Sequence, residues 1–202
     1  MKKKFCTGII FVAALFFAVN AVIANSQVGV EKNGNWTNYY AKQDPIRYAQ
    51  SVVAMTPAEK KKLYQYTMAN PSKVTPITYI ALADYIYHTS KEDALFWYFV
   101  GRIRATEDIM MCTDESASQQ VAFYPMLAQD TMSYFRELGK NASRIMAKAV
   151  DWDEQHPQRV NPKWACYHGM QIFIQGDVTT KPMSEYKKIQ EDYRARVRKS
   201  LK

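Results

Sequence analysis

Glycine is scarce in this chain. Seven glycines in 202 residues leave little for a backbone cradle around a phosphate. No glycine-rich phosphate loop, no G-x-S-x-G nucleophile turn and no H-E-x-x-H zinc helix can be found. Histidine is rarer still, at three residues, and no pair of them lies at i, i+4 on one predicted helix. C-x-x-C-H is missing too, which removes covalent haem attachment; around Cys166 there is only C-Y-H. No motif calls for a cofactor or a metal.

A basic body is also lacking, although the formal charge is +8. Lys2, Lys3 and Lys4 carry three of those charges, and residues 185–202 hold seven Lys/Arg against three Asp/Glu. Residues 25–184 are left with only about +1. Such a body has no broad phosphate-binding face, so nucleic acid is not the expected partner.

Only one long apolar run exists, and it is N-terminal. Residues 1–24 combine the three lysines, the run GIIFVAALFFAV and small or short residues at Val22 and Ala24, the pattern of a secretory signal cleaved after Ala24. An uncleaved anchor is the competing reading; no second stretch is long enough to span a bilayer. The expected product is periplasmic or secreted, with residues 25–38 as a flexible lead-in and residues 39–202 as a single domain, long enough for one sizeable core.

What is present is helical. Asp44-Pro45 and Thr56-Pro57-Ala58-Glu59 are helix starts, the second a capping box, and Asn70-Pro71 stops the helix that follows. Thr75-Pro76 opens another, with Tyr79, Leu82, Ala83, Ile86 and Tyr87 on one face. Residues 91–108 are apolar almost all round, which places that helix in the middle of a bundle, and Gly101 predicts a close crossing there. Two helices meeting at Pro125 are expected over 116–138, with Gly139 at the end. Asn141 is read as a cap for a stripe of Ala142, Ile145, Met146, Ala149 and Trp152. A loop and a short helix over 162–168 follow. The basic terminal helix, 184–201, places Tyr186, Ile189, Tyr193, Val197 and Leu201 on one narrow stripe. QIFI, residues 171–174, is too short to carry a sheet. The fold class is all-α, a single bundle or an irregular stack of helical hairpins.

Export removes Cys6 and leaves Cys112 and Cys166, which an oxidising compartment favours pairing. A thiol nucleophile at Cys166 with His168 as base, or a metal site adding His88 or His156, are the other uses of these residues. Asp84 and His88, four apart on a helix, form half of a catalytic arrangement, with no serine or second carboxylate marked as partner. Glu107, Asp108, Asp114 and Glu115 form one acidic cluster, and Asp151, Asp153 and Glu154 another. Arg102 and Arg104 beside the first favour ion pairing over acid/base catalysis.

Leu82-Ala83 followed by Ala94-x-x-Trp97-Tyr98-x-x-Gly101 resembles a helical hairpin of the tetratricopeptide type, over about 24 residues and once only. The resemblance implies a pair of packed helices; without a second copy at a fixed period it does not imply a solenoid. The same block with its following cysteine, a downstream W-D and W-x-x-x-H-G is similar in style to exported bacterial proteins of unknown function, a likeness that carries no activity.

The 14 tyrosines suit both half-buried core faces and protein interfaces. Together with the lack of catalytic motifs they point to binding another protein, for example as a periplasmic immunity protein neutralising a toxin. Tyr39, Tyr40, Tyr193, Arg194 and Arg198 are the expected contact residues. The alternatives are a cell-envelope hydrolase using Asp84 and His88 or an acidic cluster, and an envelope assembly factor docking through the terminal helix. Nothing in the sequence sets the oligomeric state.

Overall fold

The computed structural model describes residues 44–201. The expected signal sequence, residues 1–24, the expected lead-in, residues 25–38, and the aromatic residues Tyr39 and Tyr40 lie outside the described residues. Among the described residues eight α-helices are joined by several 3-10 stretches, and the nearest approach to a sheet is one isolated bridge between Cys112 and Thr180.

Helix α1 is Pro45–Val53 and α2 is Pro57–Ala69. Asp44 starts the first, its carboxylate accepting from the Ile46 and Arg47 amides at 2.7 and 3.2 Å. Thr56 and Glu59 start the second through a reciprocal capping box. Helix α3, Ile77–Tyr87, and α4, Lys91–Ile109, form the central hairpin. Ser90 caps α4 by accepting from the Asp93 amide at 3.2 Å.

Helix α4 is buried along most of its length, packing on α3 and on the helices that follow, with Arg102 and Thr106 half-buried. Its crossing with α3 is closest at Gly101. A β-carbon there would stand 2.9 Å from both Ile80 Cγ1 and the Pro76 carbonyl oxygen. The sequence expectation of a close crossing is met.

After α4 a 3-10 stretch, Glu115–Leu127, leads into α5, Gln129–Leu138. Pro125 lies inside the 3-10 stretch and the junction falls at Ala128, three residues later than expected. Pro125 has no N–H to donate, so the stretch loses one backbone bond there without ending. Helix α6 is Ala142–Gln155. Asn141 does not cap it; Gly139, at φ 53°, and Asn141 form a 3-10 turn that feeds directly into the helix.

Pro162–His168 is a 3-10 stretch, as the sequence places a short helix there. QIFI proves to be part of a five-residue helix, α7, Gln171–Gln175, closed by Gly176 at φ 71°. Helix α8, Tyr186–Ser200, completes the fold. Its buried residues are Tyr186, Gln190 and Arg194, so two of the three inward positions are polar and the stripe is displaced from the one the apolar residues mark.

Candidate protein-binding surface

The charged residues of α4 dictate the interior. A helix buried on all sides must bury any charge it carries, and a buried charge needs partners. Arg104, Glu107 and Asp108 are all buried, and the rest of the chain supplies the complement. Arg104 Nε donates to Asp153 Oδ1 of α6 at 2.8 Å, and its guanidinium also stacks over Trp152, 4.6 Å from the ring centroid. Arg159, from the loop after α6, reaches Asp153 at 2.7 Å and Glu107 at 2.6 Å. Arg194 of α8 meets the other Asp153 oxygen at 3.0 Å.

Three arginines therefore face three carboxylates in the core. Asp108 accepts from Trp164 Nε1 at 2.6 Å and from the Tyr186 hydroxyl. Burial pushes its carboxyl up to about 6 against these donors and the nearby Arg159. Burial likewise pushes Glu107 up to about 8, opposed chiefly by Arg159. Sealed from solvent, these groups hold helices together and have no access to a substrate.

Cys112 and Cys166 form a disulfide, with Cα atoms 5.4 Å apart. It joins the end of α4 to the 3-10 stretch that carries Trp164 and His168. With both sulfurs in the disulfide, His168 has no thiol to deprotonate here. Its Nδ1 lies 3.1 Å from Asp44 Oδ2, and its ring stands 5.8 Å from that of Phe123, edge to face. Burial raises the Asp44 carboxyl, but the bond with His168 and the α1 amides outweigh it and hold the group below its ordinary value.

Beyond His168 the chain makes a turn, residues 169–178, that carries α7. Its first leg is anchored by the disulfide. Asp114 accepts from the Gln171 amide at 2.7 Å and the Ser116 hydroxyl from the Met170 amide at 2.8 Å. Gly169 makes this possible, since a β-carbon would lie 2.3 Å from Asp114 Oδ2. The returning leg buries Val178 and crosses the end of α4: Lys181 N donates to the Met111 carbonyl at 2.7 Å and Thr113 N to that of Thr179 at 3.3 Å. Gln171 closes the turn on itself by accepting from Thr179 N at 3.1 Å.

This well-anchored turn presents apolar side chains to solvent. Phe173 and Ile174 are each 77 % exposed and Met170 57 %; on the adjoining 3-10 stretch Met126 is 63 % and Phe123 38 % exposed. Among the described residues Met183, at 53 %, and Val53, at 40 %, are the other exposed large apolar side chains, so five of the seven lie on this turn and the neighbouring 3-10 stretch.

Neither a family model, nor a curated protein, nor a solved structure matches this chain.

Three of the expected contact residues, Tyr193, Arg194 and Arg198, lie among the described residues. Arg194 belongs to the core ion cluster, because α8 must supply a cation to Asp153, and it is not offered to a partner. Arg198 is paired with Asp151 and Glu154 at 2.9 and 2.6 Å. Tyr193 is partly buried, packed against the core with Arg196 over its ring.

Asp84 does not serve His88: its carboxylate accepts from the Thr131 amide and hydroxyl, both at 2.9 Å, at the start of α5, and His88 is exposed. Of the acidic clusters, Glu107, Asp108 and Asp153 are internal, while Asp114 fastens the turn. A shallow groove of about 620 Å³ near Tyr134, Leu138 and Ile145 has Glu92 as its carboxylate, and that is paired with Arg144 and Lys148. Among the described residues no three His, Cys, Asp or Glu side chains gather as a metal-ligand set, and no helix is long and apolar enough to cross a membrane.

Proposed function

We propose that this is an exported helical protein that binds another protein through the turn bearing Met170, Phe173 and Ile174, and that its role is that of a periplasmic immunity protein neutralising a toxin. One observation carries the reading: an exposed apolar tip on a backbone fixed by a disulfide at one leg and by the bonds to 111–113 at the other. A pre-ordered apolar tip loses little entropy on docking, and burying Phe173 and Ile174 is worth roughly 1.5–3 kcal/mol each. Aromatic anchors of this kind dominate protein interfaces. The disulfide supports the export half of the reading, because such bonds persist in oxidising compartments.

The hydrolase reading has weaker support, since Asp84 and the cluster carboxylates hold helices in place. Docking through α8 is weakened by the inward turn of Arg194.

A competition assay tests the immunity role. Cells lacking the protein are grown against otherwise identical producing cells. They should lose fitness, and wild-type protein should restore it where Phe173→Asp/Ile174→Asp, exported to the same level, does not. Full rescue by the double variant, or no fitness loss, overturns this role.

A further inference from the structure

We infer that the groove between the start of α4 and the α5–α6 turn is a second binding site, one that takes an acidic peptide segment in extended form. It shares no residue with the 169–178 turn and does not depend on that turn's docking role. Its volume is about 620 Å³, and its lining combines the apolar Leu138 and Ile145 and the Tyr134 ring with Lys140, Arg144 and Glu92. Cations outnumber carboxylates there. Arg144 and Lys148, one turn apart on α6, share a single oxygen of Glu92, at 3.4 and 3.6 Å, and Lys140 has no ion pair among the described residues. On the adjoining turns Lys91 and Arg136 offset Asp93 and Glu137 in number, so three cations against one carboxylate leave a surplus of positive charge at the groove.

That surplus is open to a ligand. The ion pairs to Glu92 are long and solvent-exposed, and such pairs contribute little, so an incoming carboxylate exchanges for Glu92 at small cost. Shape selects a chain segment over a free small molecule: the groove is shallow, whereas a small-molecule site encloses most of its ligand's surface. Spacing selects an extended segment with acidic residues at alternate positions. Residues four apart on a helix stand about 6 Å apart along its axis, and alternate side chains of an extended peptide repeat about every 6.6 Å on one side. Two such carboxylates meet Arg144 and Lys148 in charge-assisted bonds, and apolar groups of the same peptide cover the half-buried Tyr134 and Leu138.

Isothermal titration calorimetry of the full exported chain tests this, with the peptide acetyl-Glu-Leu-Glu-Leu-Glu-amide as probe. Binding at one site per chain is expected. Arg144→Glu/Lys148→Glu should weaken it by about tenfold or more at an unchanged thermal midpoint, while Lys187→Glu/Lys188→Glu, the same charge change on the exposed face of α8, should leave it as it is. Glu92→Gln removes the competing carboxylate and should tighten binding several-fold. Two control peptides, acetyl-Gln-Leu-Gln-Leu-Gln-amide without the charge and acetyl-Leu-Glu-Glu-Glu-Leu-amide without the alternation, should both bind more weakly. No binding, equal losses from the α6 and α8 variants, no gain from Glu92→Gln, or equal binding of either control peptide overturns the inference. So does free glutamate bound as tightly as the peptide, which would make the groove a site for single small anions.

Discussion

Asp108 illustrates how a single residue couples burial to pH. Its carboxyl rises in the fold from 3.8 to about 6 because burial disfavours the charge more than Trp164 and Tyr186 favour it. A carboxyl raised on folding contributes stability that is complete below its ordinary value and lost as pH climbs through about 6, here on the order of 3 kcal/mol. Asp108→Asn cannot ionise, so thermal melts of the variant should be flatter than wild type between pH 4 and 7, and the wild type's relative advantage should shrink with rising pH. Parallel curves would show that Asp108 does not titrate in that window.

Gly101 is the second decisive residue. Gly101→Ala forces the α3–α4 crossing apart against a backbone carbonyl, and a loss of about 3 kcal/mol is expected in urea unfolding. An unchanged midpoint would mean that the hairpin yields. Both residues were legible in part. The all-round apolar character of residues 91–108 predicts the crossing at Gly101, and it also requires burial of Arg104, Glu107 and Asp108. Their partners were not legible: Arg159 sits in a polar loop and Arg194 in a basic helix, where pattern alone reads each charge as solvated.

At the scale of elements, two fastenings matter. Asp153 holds α4, the loop at Arg159 and α8 together. Asp153→Ala would leave three arginines without that carboxylate, and a loss of about 3–5 kcal/mol is expected in chemical denaturation. The disulfide closes a separation of 54 residues, so Cys112→Ser/Cys166→Ser should cost about 4 kcal/mol. Hydrogen exchange in that variant should rise first at residues 169–178; protection equal to wild type there would mean that the turn stands without the bridge. Capping and termination made most helices readable, from the Thr56 box to Gly139. Helix α7 was not, because five residues are too few for periodicity to separate helix from strand. The stripe of α8 misled because its inward positions include the polar Gln190 and Arg194, the latter paired with Asp153.

For the whole molecule, the fold is a helical bundle whose charged interior locks the C-terminal elements and whose surface exposes one fastened apolar tip. Nothing in the sequence distinguished QIFI as an exposed element from QIFI as core, since exposure depends on how the 3-10 stretches and the bridge at Cys112 and Thr180 carry it outwards. The proposed role of this tip is that Phe173 and Ile174 bind a protein partner. Quantitative affinity capture from the exported fraction of producing cells tests it directly, comparing wild type with Phe173→Asp/Ile174→Asp while the thermal midpoints of both are read in parallel. A protein should be retained by wild type and reduced by about 30-fold or more in the variant, the scale of one interface hot spot, at an unchanged midpoint. Equal capture by the two folded proteins would contradict it.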